Sequence, residues 1–210
     1  MKKYDLYLFD FDGTLLDTMS ALEYVFMFSY NKVGIDFKQE YVKEHSRIPL
    51  SVGYELLKGD PNKYQDFLDG IEESLDSEEA LHRNYPYEDS YEFFNYLKRH
   101  HVYAGIVTSN KIPHVTAVLE KLNIPLDIFD IYIGNRECEY YKPHPDPILK
   151  ALEKANYQGD LSRVVYVGDG LNDTISANEA GVDAVLIDRV DAFPDSDKYI
   201  RIKSLMELFE

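Results

Sequence analysis

Residues 4–13 read Tyr4-Asp5-Leu6-Tyr7-Leu8-Phe9-Asp10-Phe11-Asp12-Gly13. The run from Tyr4 to Phe9 is short, apolar and aromatic-rich, and it stops at acidic residues and a glycine, which is the pattern of a buried strand. Three more runs share that character, Val102 to Val107, Val164 to Val167 and Ala184 to Ile187, and a weaker one spans Ile128 to Ile133. Helical periodicity fills the gaps at Ser90 to His100, Pro113 to Leu122, Pro145 to Ala155 and Asn172 to Ala180. Strands alternating with helices of about ten residues require right-handed crossovers. The expected fold is therefore α/β, a Rossmann-like doubly wound parallel sheet with helices on both faces.

One region breaks the alternation. From Thr18 to Arg83 the pattern is helical throughout: Ala21, Leu22, Val25, Phe26 and Ser29 share a face, as do Tyr54, Leu57 and Lys58, then Phe67, Leu68, Ile71 and Leu75. So long a helical stretch between the first strand and the second is no simple crossover. It predicts an inserted all-helical cap domain over residues 18–83, with residues 1–17 and 84–210 forming the core domain. Gly59, Asp60 and Pro61 mark a turn inside the insert, and Tyr85, Pro86 and Tyr87 the return linker.

The chain of 210 residues carries 22 basic and 38 acidic side chains, a net charge of −16. That balance repels nucleic acid and anionic lipid, so neither is an expected partner. The acidic side chains between Asp66 and Glu79 read as a solvated helical face. Lys2 and Lys3 precede an apolar stretch broken by Asp5, Asp10 and Asp12, with no cleavage site behind it, and no apolar run is long enough to span a bilayer. A cytoplasmic protein is expected. Its single cysteine, Cys138, fits a reducing compartment, and the carboxylates of Glu137 and Glu139 beside it argue against a catalytic thiolate.

In a doubly wound sheet, ligands bind beyond the carboxyl ends of the strands. Asp10 and Asp12 follow the first apolar run, Thr108, Ser109 and Asn110 the second, and Asp169 and Asp173 the run ending at Val167, while Lys142 precedes the helix opening near Pro145. Two acids two apart at a strand end project toward one site, and Gly13 allows a tight exit. One carboxylate can attack an electrophile while the other moves a proton.

The string Leu8 to Asp17 resembles the signature of the haloacid dehalogenase superfamily, in its phosphatase branch with a helical, C1-type cap. The resemblance implies that Asp10 is the nucleophile that becomes an aspartyl phosphate and that Asp12 is the general acid and base. Ile106-Val107-Thr108-Ser109-Asn110 is similar to the second motif of those phosphatases, with Thr108 holding phosphoryl oxygens beside Ser109 and Asn110. Tyr141 to Pro147 resembles their lysine motif, and Tyr166 to Asp173 their metal motif. By that likeness Mg2+ is bound by Asp10 and Asp169 directly, by the backbone carbonyl of Asp12, and by Asp173 directly or through water. Magnesium takes oxygen ligands, usually one or two carboxylates with several waters. The cations have a clear task, because a phosphate charge about 4 Å from a carboxylate is repelled by ~4 kcal/mol at an effective dielectric near 20. Two departures stand out: Gly170 where many relatives have serine, and Lys111 after Asn110. His144 reads as helix-start structure.

The retained Asp12 disfavours the dehalogenases and phosphonatases of the superfamily, and the lack of histidine from Met19 to Tyr30 disfavours its sugar-phosphate mutases. The implied substrate is a small phosphorylated metabolite, in the manner of phosphoglycolate phosphatases, with pyrophosphatase or nucleotidase as the alternative within the branch. An inactive phosphometabolite-binding protein is the alternative outside it. Arg47 is the best substrate-binding candidate in the insert, since a guanidinium clasps a carboxylate or phosphate bidentately; His45 and Lys43 rank lower. The expected assembly is a monomer or weak homodimer.

Overall fold

The computed structural model describes residues 3–46 and 48–210. Arg47 lies outside the described residues. Contacts divide the chain into two compact units, Met1–Leu16 with Pro86–Glu210, and Asp17–Tyr85.

The first unit holds a six-stranded, all-parallel sheet. Its strands are β1 (Leu6–Phe9), β4 (Ala104–Val107), β5 (Ile131–Ile133), β6 (Val164–Gly168), β7 (Asp183–Ile187) and β8 (Ile200–Ile202), in the order β5-β4-β1-β6-β7-β8. The crossovers include α6 (Ser90–His100), α7 (Ile112–Lys121), α8 (Asp146–Lys154) and α9 (Leu171–Ala180). Strands β1, β4 and β6 are buried along their whole length, which is why they read as continuous apolar runs. Leu6, Leu8, Val107, Val164 and Tyr166 pack with Ile148, Ala151 and Ala177 of α8 and α9. The α/β architecture with a helical insert is as expected. Strand β8 was not anticipated, because Ile200-Arg201-Ile202 is a three-residue edge with one charged position, too short for alternation to register.

The second unit is helical: α1 (Met19–Lys32), α2 (Val42–His45), α3 (Leu50–Leu56), α4 (Tyr64–Leu75) and α5 (Glu78–Leu81). Tyr30 sits at its centre, stacked on Phe37 with ring centroids 4.8 Å apart and 4.6 Å from the ring of Phe67. Phe26, Val33, Val42 and Tyr54 complete this core. Asp66, Asp69, Glu72, Glu73, Asp76, Glu78 and Glu79 are all exposed, as a solvated face should be. The chain passes between the units at β2 (Leu16–Asp17) and β3 (Tyr85–Pro86), which pair as a two-stranded ribbon. No helix among the described residues is long and apolar enough to cross a membrane.

Candidate active site

The polar residues of interest gather in the first unit, at the carboxyl ends of three adjacent strands. β1 lies between β4 and β6, with Leu8 level with Gly105 and Tyr166, and Phe9 level with Ile106 and Val167. Asp10 leaves β1 while its amide still donates to the Val167 carbonyl at 2.8 Å, and Thr108 leaves β4 with its amide on the Ile133 carbonyl at 2.9 Å. Asp169 follows the last residue of β6.

Alternation along the strands decides what meets there. Leu8 and Tyr166 are in register, so Asp10 and Gly168, each two residues on, share one face of the sheet. Gly168 has no side chain, and the space is taken by Asp173 from the first turn of α9; a Cβ on Gly168 would lie 2.2 Å from Asp173 Cγ. Gly13 is the matching concession on the other loop. Its φ of +74° is one that side chains rarely adopt, and a Cβ there would fall 2.4 Å from Asp169 Oδ2.

Lys142 reaches into this face from the loop before α8. Its ammonium donates to Asp10 Oδ1 at 2.7 Å, to Asp173 Oδ1 at 2.7 Å and to the Tyr166 hydroxyl at 3.0 Å. Asp173 Oδ2 accepts from the Gly170 amide at 3.0 Å. Asp12 lies partly exposed, and its Oδ2 accepts from Asn110 Nδ2 at 2.6 Å. Thr108 is buried and its hydroxyl oxygen accepts from the Asn110 amide at 3.1 Å, whereas Ser109 is exposed. His144 has the structural place expected of it, taking the Asp146 amide on Nδ1 at 3.1 Å where α8 begins. His45 is buried in the helical unit, its ring nitrogens 3.0 Å from the Tyr41 carbonyl oxygen and 3.2 Å from that of Gly53.

Burial pushes the Asp10 carboxyl well above the ordinary carboxylate range, against the pull of Lys142, and Asp173, Asp12 and Asp169 push the same way. Burial works against the charge on Lys142, but Asp10 and Asp173 outweigh it and hold the ammonium well above its usual value. The Cys138 thiol is pushed up to about 11, by burial first and by Asp146 and Glu137 after it, so it stays protonated at neutral pH.

Asp10, Asp169 and Asp173 each place one carboxylate oxygen within 4.8 Å of the others. Hard oxygen donors this close suit a small dication. They also carry more negative charge than one ammonium balances, and a divalent ion would correct the excess.

The profile of the haloacid dehalogenase-like hydrolase family matches residues 7–187, a span that holds every side chain of this cluster. The chain belongs to that family. Membership makes it a haloacid dehalogenase-like hydrolase, here with a helical insert after the first strand. It is 30% identical over 183 residues to a protein of Caldanaerobacter subterraneus assigned as pyrophosphatase PpaX, covering 86% of this chain and 80% of the relative. A haloacid dehalogenase-like hydrolase from Bacteroides fragilis has the same fold, with a TM-score of 0.83 at 24% identity over 98% of this chain and 100% of the other. So does a protein from Lactobacillus plantarum assigned as a phosphoglycolate phosphatase, with a TM-score of 0.82 at 21% identity over 99% of both chains.

Among the cluster's residues, Tyr166 had no role assigned from the sequence. The available signal was a hydroxyl-bearing side chain inside an otherwise aliphatic central strand, Val164-Val165-Tyr166-Val167-Gly168.

Proposed function

We propose that this protein hydrolyses a small phosphorylated metabolite through an aspartyl-phosphate intermediate, with Asp10 as nucleophile and Asp12 as general acid and base. The observation that carries the reading is the grip of Lys142 on Asp10 Oδ1, which makes the two oxygens of the nucleophile unequal. The other oxygen attacks phosphorus as the ester P–O bond breaks, and Asp12 gives its proton to the departing oxygen. Asp12 then takes a proton from water, whose oxygen attacks phosphorus and releases phosphate and the Asp10 carboxylate. Asn110 holds Asp12 in place through both steps. Thr108, with Ser109 and Asn110, cradles the phosphoryl oxygens, and Lys142 offsets the charge that builds on them.

Asp10, Asp169 and Asp173 would hold magnesium, joined by the backbone carbonyl of Asp12. When bound, the ion supplies positive charge that screens the phosphate from the carboxylates. Both oxygens of Asp173 already accept a hydrogen bond, which favours for it a supporting contact over a direct bond. Arg47 remains the proposed contact for the rest of the substrate.

The test is magnesium-dependent release of phosphate from an aryl phosphate, where Asp10→Asn should lower kcat by at least about a thousandfold. Equal release by the variant, or none by the parent across a panel of phosphorylated metabolites, would sink the proposal. The name of the Caldanaerobacter relative favours a second reading, pyrophosphate as substrate. Ranking pyrophosphate, phosphoglycolate and nucleotides by kcat/KM, with Arg47→Ala beside the parent, decides between them.

A further inference from the structure

A buried ammonium needs an acceptor for each of its three N–H groups. Lys142, with 8% of its side chain exposed, finds them in Asp10 Oδ1, Asp173 Oδ1 and the hydroxyl of Tyr166. The first two are charged side chains; the third is a neutral phenol on a central strand. Tyr166 is 1% exposed. Its hydroxyl has one proton to give, with the Val107 carbonyl at 2.9 Å and Asp173 Oδ1 at 3.3 Å. The carbonyl is nearer, and Asp173 Oδ1 already accepts from Lys142, so the proton goes to the backbone of β4 and the lone pairs face the ammonium.

We propose that Tyr166 is a positioning residue for the reaction, its hydroxyl being the third leg of a tripod that fixes Lys142 Nζ against Asp10. The phenol is a fixed leg, because its ring is packed among Leu6, Leu8, Val107 and Val164 in the core and its proton is tied to a strand carbonyl. It supplies an acceptor without adding another carboxylate charge to a site already crowded with them. Phenylalanine would fill the same core volume, so packing alone gives no reason for the hydroxyl. The inference rests on the reading of Asp10 as nucleophile with Lys142 as its partner, and it adds what sets the geometry between them.

Tyr166→Phe removes only the hydroxyl. Tyr132→Phe is the control, because the Tyr132 hydroxyl donates to the Leu126 carbonyl at 2.7 Å and touches no residue of the site. With an aryl phosphate and saturating magnesium, Tyr166→Phe should lower kcat about tenfold with KM within about twofold, since orientation rather than binding is lost. Tyr132→Phe should leave both constants unchanged while costing comparable melting temperature. A second readout needs no turnover: the 1H–15N signal of the Lys142 ammonium, assigned by its loss in Lys142→Met. Protection in the parent and in Tyr132→Phe, with broadening in Tyr166→Phe, is expected. An unchanged kcat or signal in Tyr166→Phe, an equal kcat loss in both variants, or no protected signal in the parent overturns the tripod. If the parent releases no phosphate from any substrate, the proposed function falls, and the ammonium signal still decides this inference by itself.

Discussion

At Asp10, burial and neighbouring carboxylates both work against the ionised form. Its carboxyl is pushed well above 3.8 by burial and by neighbouring carboxylates, so the folded protein binds that proton more tightly than the unfolded chain does. The sign follows: stability is lost as pH rises through the folded value. Asp10→Asn should therefore melt higher than the parent at pH 7 in the absence of metal, and the gap should close as pH is lowered toward 4. A parent that melts as high as the variant at pH 7 would contradict the burial argument. Gly13 is the other residue under geometric demand. Gly13→Ala must relieve a φ of +74° and a Cβ 2.4 Å from Asp169 Oδ2, at a cost of about 1–3 kcal/mol. Chemical denaturation should read that loss, and the magnesium concentration for half-maximal activity should rise about tenfold as Asp169 is displaced.

Elements matter here through their ends. β7 stops at Ile187, and Asp188, 2% exposed, caps the loop behind it by accepting from the amides of Ala192 at 2.8 Å and Phe193 at 2.9 Å. Burial alone would raise its carboxyl, but those amides and Arg201 outweigh burial and hold it below 3.8. Stability from this group is complete above the ordinary value and is lost as pH falls through the lower folded one. Asp188→Ala should cost about 2–3 kcal/mol at pH 7, and parent and variant should converge in urea melts below the ordinary carboxylate range. At the neighbouring loop, Arg189 reaches Asp89 at 2.9 Å, the Thr14 carbonyl at 3.2 Å and the Tyr87 ring at 3.9 Å. It ties the loop of Asp12 and Gly13 to the segment that returns from the insert.

For the molecule entire, a net charge of −16 means that a small anion is drawn by local cations and not by the overall field. The clustered carboxylates make the same point from the other side, since they repel one another until a cation is supplied. Magnesium at about one hundred times its Kd should stabilise the protein by ~2.7 kcal/mol, a rise in Tm of about 5–10 °C for a chain of this length. Chelation should reverse it, and Asp169→Asn should show little of it. A Tm indifferent to magnesium in the parent would count against the carboxylates as an ion site.

Fold class was legible in the sequence because strands buried on both faces must be apolar from end to end, as Leu6 to Phe9 and Val164 to Val167 are, and because amphipathic helices repeat between them. The order of polar residues after those strands was legible for a related reason: parallel strands deliver their carboxyl ends to one edge. Short or edge elements such as Ile200 to Ile202 escaped, since three residues carry too little periodicity. What only the tertiary structure decided was contact between residues distant along the chain. No local pattern says that Asn110 holds Asp12, that Gly168 makes room for Asp173, or that the Tyr166 hydroxyl completes the grip on Lys142. Those pairings depend on strand register and on which face each side chain takes, and the packed sheet alone settles both.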